Sequence, residues 1–271
     1  MMCDLGQELS YRYIAGSGIE IGALHGPLPV SSRATVKYVD RLNVTELRKH
    51  YPELDNVNLV PVDIIDDGES LSSFKDESLD FIIANHMLEH CENPIGTLRS
   101  HFLKLRPGAI AYYAVPDKNF TFDLPRPLTT FEHLLLDDSL GPGCSKKQHF
   151  MEWVRFVNKK SEEESITQFE YLMNINYSIH YHVWNSDTFH DFIIQANRCL
   201  GDVFTVDEFV LNGQEAICIL RKKKKTCSKE DSYIFGSSLH RTLARMIQSI
   251  RNKLSISRSV FCHIVAPGNS P

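Results

Sequence analysis

Several short polar clusters carry residue types that could bind a nucleoside or move a proton. Glu20-Ile21-Gly22-Ala23-Leu24-His25-Gly26 sets an acid before a glycine turn. Glycine lets the backbone bend sharply and approach a ligand closely. By itself this segment is equally readable as a tight strand-to-helix turn. Asp40 follows about twenty residues on, a spacing at which a strand-end carboxylate can accept hydrogen bonds from both hydroxyls of a ribose. Asp63 is placed to accept from an adenine amino group with Ile64 packing on the ring, although a plain turn residue in an Asp-rich loop reads the same way. Asn85-His86-Met87-Leu88-Glu89-His90 puts amide, imidazole and carboxylate within six positions. His86 to His90 also spells the H-x-x-E-H string of inverted zincins, so a zinc hydrolase stands as a remote alternative. That chemistry needs both imidazoles on one helix face, whereas this segment emerges from an apolar run.

A second group lies further along. His149, His180 and His182 are candidate general bases, since imidazole titrates near neutrality and a hydroxyl acceptor needs its proton taken. A structural role is the alternative for each. Phe120, Phe122, Phe131, Phe150, Trp153 and Trp184 either stack on a substrate face or fill a core. Arg126 either binds an anionic group, caps a helix or pairs with Asp123 or Glu132.

The elements that must position these residues follow from hydrophobic patterning. Apolar runs at Gly18–Gly22, Val36–Asp40, Asn58–Val62, Leu79–Ala84 and Ala109–Val115 alternate with helical patterns, and Phe204–Leu211 and Glu215–Leu220 flank an Asn212-Gly213 turn. The order predicts an α/β, Rossmann-like doubly wound sheet of seven strands, mostly parallel, ending in an antiparallel hairpin. Leu79–Ala84 is apolar at nearly consecutive positions, as a strand covered on both faces requires. Asn93 before Pro94 marks a helix start. Residues 118–197 lack clear strands and are read as a helical, substrate-covering insertion between the fifth and sixth strands.

The acid before the glycine turn, the acids after the second and third strands, and the N-H-x-L-E-H segment after the fourth together resemble class I S-adenosylmethionine-dependent methyltransferases. The likeness continues through Pro116-Asp117-Lys118-Asn119-Phe120-Thr121-Phe122-Asp123, Arg126-Pro127, Glu132-His133, Gln148-His149-Phe150 and His182-Val183-Trp184, which resemble methyltransferases linked to cell-surface glycan assembly. It covers most of residues 16–221. The resemblance implies S-adenosylmethionine as cofactor, with Glu20, Gly22 and Ala23 at its methionine portion, Asp40 and Arg41 at the ribose, Asp63 and Ile64 at the adenine, and Asn85 and His86 near the sulfonium. Leu24 departs from the glycine-rich form of the loop. Methyl transfer from a sulfonium is an in-line displacement governed by positioning and calls for no metal. The acceptor implied is a small molecule or glycan, and a catalytically inactive cofactor-binding scaffold is the second reading.

Composition agrees with a globular chain: 271 residues, 42% hydrophobic, net charge −5. From Arg221 onward 11 Lys and Arg face 2 Asp and Glu, so the body before it is acidic. An acidic body argues against nucleic acid lying across the main domain. Residues 1–221 are expected to form the methyltransferase domain, with 222–271 a basic linker and tail. Within that tail Ser238–Leu254 patterns as an amphipathic helix suited to a membrane surface or partner protein, or simply to solvent. Nothing at the N-terminus reads as a secretory signal, and the seven scattered cysteines lack any C-x-x-C pair. A cytoplasmic enzyme is the expectation, and its oligomeric state is left open.

Overall fold

A computed structural model describes residues 5–159 and 162–224. The basic tail from 225 onward, with the expected helix Ser238–Leu254, lies outside the described residues. The sheet is built from β1 (Gly16–Ile21), β2 (Ala34–Asp40), β3 (Ile64–Ile65), β4 (Leu79–Asn85), β5 (Leu105–Pro116), β6 (Phe204–Asn212) and β7 (Glu215–Lys222). Its helices are α1 (Leu5–Tyr13), α2 (Val44–His50), α3 (Pro94–Lys104), α4 (Phe131–Leu140), α5 (Lys146–Phe156), α6 (Glu162–Asn174) and α7 (Ser186–Cys199).

The strand order is β3-β2-β1-β4-β5-β7-β6. β7 runs antiparallel to both β5 and β6, and the other pairings are parallel. This is the doubly wound sheet with a terminal antiparallel hairpin expected from the patterning. Gly213, at φ +63°, makes the tight hairpin turn. From β1 the chain winds outward through β2 to β3, then returns to β4 on the other side. The crevice between these diverging connections, at the carboxyl ends of β1 and β4, is where open α/β sheets bind ligands.

Burial explains the centre of the sheet. Phe81, Ile82, Ile83 and Ala84 of β4 are each 0% exposed, so both faces of the strand are covered. On one face Phe81 and Ile83 pack with Tyr112, Ile217, Ile219 and Leu9 of α1. Gly18 of β1 lies so close to β4 that an added Cβ would collide with the Phe81 carbonyl oxygen.

One predicted strand is displaced. Asn58–Val62 forms no strand, and β3 is the two-residue Ile64–Ile65 pairing with Val39 and Asp40. The apolar run is instead a loop held by Val60 N–H donating to Leu24 O at 2.8 Å. Asp63 therefore precedes β3 rather than following it.

The region after β5 is helical, as expected. α5 and α6 form a core of their own in which Phe150, Trp153, Phe169, Leu172, Ile179 and Tyr181 are buried together. α7 closes the insertion through a capping box at Asn185 and packs on β6 and β7. Asp117 ties the insertion to the sheet end: one carboxylate oxygen accepts from Asn119 N–H at 2.9 Å, the other from Ser186 N–H at 2.9 Å. Among the described residues no helix is long and apolar enough to cross a membrane.

Candidate functional site

A cavity of about 620 Å³ opens at the carboxyl edge of the sheet. Its wall is assembled from strand ends: Gly22 after β1, Asp40 and Arg41 at β2, Asp67-Gly68-Glu69 after β3, and His86, Met87 and His90 after β4. The insertion supplies Pro142, Tyr177, Ser178 and Tyr181. Gly22 has φ +66°, and a Cβ built on it would meet nothing within 4 Å, so the backbone itself faces open space. Leu24 holds φ +49°, the left-handed conformation a glycine adopts without strain. The loop thus follows a glycine-like path without the glycine.

Of the residues expected to hold a cofactor, Gly22, Asp40, Arg41 and His86 line the cavity, and Glu20, Ala23, Asp63, Ile64 and Asn85 do not. The Asp40 carboxylate accepts a long 3.4 Å bond from Leu42 N–H, which leaves acceptor capacity facing the cavity. Burial raises its pKa, opposed by the backbone of Leu42 and Arg41 and by the Arg41 charge. Arg41 is turned toward the protein, donating to Tyr51 Oη at 2.9 Å and Asn176 O at 3.3 Å, and so links α2 to the insertion.

Glu20 is 1% exposed and serves the loop: Oε1 accepts from Leu28 N–H at 2.9 Å, while Oε2 is buried without a partner. Burial raises its carboxyl to about 7. Asp63 accepts from Tyr38 N–H at 2.8 Å, fastening the edge of the sheet. Ala23 accepts from Gly26 N–H within the turn. Asn85 ends β4 with its Oδ1 buried and unpartnered.

The position beyond β3 that faces the cavity is occupied by Asp67, Gly68 and Glu69, which sequence reasoning passed over. The signal was an acid-acid-glycine-acid turn directly after Ile64-Ile65. This loop is held from below: Tyr113 Oη lies 2.9 Å from His101 Nδ1, and His101 Nε2 lies 2.7 Å from Gly68 O. Burial lowers the His101 pKa to about 4, so the ring is neutral and donates to Gly68 O while accepting from Tyr113. Glu69 accepts from Glu92 N–H, Asn93 N–H and Thr97 Oγ1, locking the loop to the start of α3.

The segment after β4 does not form a zincin helix. His86 has φ +49°, and Leu88–His90 is a single 3₁₀ turn. His86 Nε2 pairs with Glu215 Oε2 at 2.8 Å, and Nδ1 lies 3.6 Å from Glu89 Oε1. These two carboxylates hold His86 well above the usual histidine range. His90 Nδ1 is turned to Ile179 O at 2.9 Å. Glu89 is 1% exposed, and neither of its carboxylate oxygens has a hydrogen-bond partner. Burial opposes its charge, but His86, His180 and His90 outweigh that and hold its carboxyl below the ordinary value.

The three candidate bases fall in two places, and none lines the cavity. His180 packs edge-to-face on the cavity residue His90 at 4.6 Å between ring centres, with Nδ1 2.6 Å from Asp123 Oδ2. A carboxylate on one imidazole nitrogen fixes the orientation of the ring. His149 and His182 lie deeper, with ring centres 5.1 Å apart. Arg126 is 1% exposed and spoken for by Asp123 Oδ1 at 2.8 Å and Glu152 Oε1 at 2.9 Å, and its guanidinium lies over Trp153. Of the aromatics, Phe150, Trp153 and Trp184 are core, and Phe120 and Phe122 lie at the surface.

A family profile described as a methyltransferase domain matches residues 2–197. No curated protein matches the chain. Among solved structures, the chain is similar to a SAM-dependent methyltransferase of Methanosarcina mazei, with 16% identity, 82% of this chain and 99% of that one covered, and a TM-score of 0.45. A SAM-dependent methyltransferase of Thermotoga maritima, described as a possible histamine N-methyltransferase, gives 14% identity, 82% and 90% coverage, and a TM-score of 0.42. The CurJ carbon methyltransferase gives 15% identity and a TM-score of 0.41, with 78% of this chain covered, and the chain spans about half, 49%, of that chain's length.

Proposed function

The chain belongs to the methyltransferase domain family, and from that premise we propose that its cavity binds S-adenosylmethionine and that a small-molecule or glycan acceptor is methylated beneath the insertion. S-adenosylmethionine supplies an electrophilic methyl group on a sulfonium. The observation that carries the reading is the pairing of Gly22 and Asp40 on one cavity wall: an open backbone cradle beside a strand-end carboxylate with unused acceptor capacity. A volume of about 620 Å³ falls within the range of small-ligand sites.

In this reading Asp40 accepts from the ribose hydroxyls, and Asp67 takes the adenine-side role first assigned to Asp63, because Asp67 lines the cavity. Arg41 acts by holding α2 and the insertion together. His86, kept cationic by Glu89 and Glu215, orders the loop after β4.

His180 is the proposed general base. Asp123 holds its Nδ1, leaving Nε2 as the nitrogen that takes the proton. The resemblance of the segments at 116–123, 126–127, 148–150 and 182–184 to glycan-linked methyltransferases favours a hydroxyl acceptor. The insertion contributes Tyr177 and Tyr181 to the cavity wall, where they would help to exclude water from the reacting groups. The test is S-adenosylhomocysteine release with nucleotide sugars and glycans as acceptors. His180→Ala is expected to lower turnover at least about 100-fold, in line with general-base catalysis, with cofactor affinity within about twofold. Full turnover in the variant would remove His180 as the base.

A further inference from the structure

Beside the cavity, three imidazoles and a carboxylate converge in the insertion. His133 and Asp137 lie four residues apart on α4 and so share a face. His149 is on the first turn of α5, and His182 lies between α6 and α7. One donor atom from each lies within 4.8 Å of all the others. His133 Nε2 is 3.0 Å from His149 Nε2 and 3.1 Å from Asp137 Oδ2, and His182 Nε2 is 3.9 Å from the same oxygen.

We propose that His133, Asp137, His149 and His182 form a binding site for one divalent transition-metal ion of the zinc class, which fastens the insertion over the cavity. Asp137 and His182 are 2% and 0% exposed, yet His182 Nε2 has no hydrogen-bond partner, and Asp137 Oδ2 makes no hydrogen bond and has only the ion-pair contacts with His133 and His182 just given. Leaving an imidazole nitrogen unpaired beside a buried carboxylate is costly, and a shared cation removes that cost. Metal–nitrogen and metal–oxygen bonds of about 2.0–2.2 Å in a tetrahedron set donor atoms about 3.3 Å apart. The separations of 3.0, 3.1 and 3.9 Å straddle this value, and all of the donor atoms lie within 4.8 Å of one another.

Asp137 also has the outer support expected of a ligand. Its Oδ1 accepts from Ser145 Oγ at 2.6 Å, which leaves Oδ2 to face the three nitrogens. Three imidazoles with one carboxylate suit zinc and its neighbours rather than magnesium or calcium. Four protein ligands leave no open coordination position, so the role is structural. Pro142, between α4 and α5, and Tyr181, beside His182, both line the cavity, so the ion would hold the cover in place. This assigns His149 and His182 to the metal rather than to proton transfer, against the expectation from sequence. It does not depend on which acceptor is methylated.

The test is titration of the chelator-treated full chain with Co²⁺, whose visible absorption reports four-coordinate geometry, followed by competition with Zn²⁺ and metal analysis. The expected result is one equivalent bound, intense tetrahedral bands, and displacement by Zn²⁺. Removing one ligand should weaken binding more than about 100-fold, beyond what loss of an outer-shell partner costs. The variants are Asp137→Asn and His133→Ala. The His133 side chain is 27% exposed, so its replacement leaves a folded protein if the buried Asp137 variant does not. Glu89→Gln, in the neighbouring Glu89-His90-His180 group, should leave metal affinity unchanged. Absence of stoichiometric metal, wild-type affinity in folded His133→Ala, or loss of metal in Glu89→Gln would each overturn the assignment.

Discussion

Replacing Glu20 by Gln should change how stability depends on pH, by an amount the structure sets. Glu20 is 1% exposed, and burial raises its carboxyl from 4.5 to about 7 in the folded chain. Between these values the folded state retains a proton that the unfolded state has released. Stability from this group is therefore fully present below about 4.5 and is lost as pH rises through about 7. At about 1.4 kcal/mol per pKa unit the loss is about 3 kcal/mol. Gln keeps an acceptor for Leu28 N–H but does not titrate. Its amide adds a fixed offset, so the observable is the change in the stability difference with pH. Wild type should gain about 3 kcal/mol relative to Glu20→Gln on going from pH 8 to pH 4.5, read from urea unfolding of both proteins across that range. Asp40 and Glu69, also raised by burial, titrate in both proteins and cancel in the comparison. A pH-independent difference would refute the buried, high-pKa carboxyl and with it the account of the loop after β1.

Gly18→Ala drives a methyl into the Phe81 carbonyl and should destabilise the chain by at least about 2–3 kcal/mol, seen as a lowered urea midpoint; an unchanged midpoint would mean β1 and β4 can separate cheaply. Tyr113→Phe leaves His101 Nδ1 without its partner and should cost about 1–3 kcal/mol. Because His101 holds Gly68 at the cavity, the same variant should bind S-adenosylhomocysteine more weakly in calorimetry, and retained affinity would separate the loop from the site. Asp40→Asn should weaken S-adenosylmethionine binding about 10- to 100-fold, the worth of charge-assisted hydrogen bonds, with the unfolding midpoint little changed. Unaltered affinity in the folded variant would remove the ribose assignment.

The parts of the fold legible in the sequence were those decided locally. Consecutive apolar residues marked β4 as central, Asn93-Pro94 marked the start of α3, and Asn212-Gly213 marked the hairpin. β3 was misplaced because Leu59, Val60 and Val62 look more strand-like than the two-residue edge strand that pairs with β2. That error put Asp63 where Asp67 stands. Gly22 and Asp40 were legible as residues at the cavity because strand ends fix their position, whereas the hydrogen bond that Glu20 accepts from Leu28 N–H shows only in the folded loop. The clustering of His149, His180 and His182 was visible, but their separation into two groups was not. It depends on α4 bringing His133 and Asp137 against α5, a long-range contact that no spacing rule records.

The central claim is the cofactor site, and calorimetric titration of the purified chain with S-adenosylmethionine and S-adenosylhomocysteine, with NAD as control, tests it most directly. The account predicts saturable one-to-one binding of the first two and none of NAD. Binding of NAD alone, or of none of the three by folded protein, would contradict it.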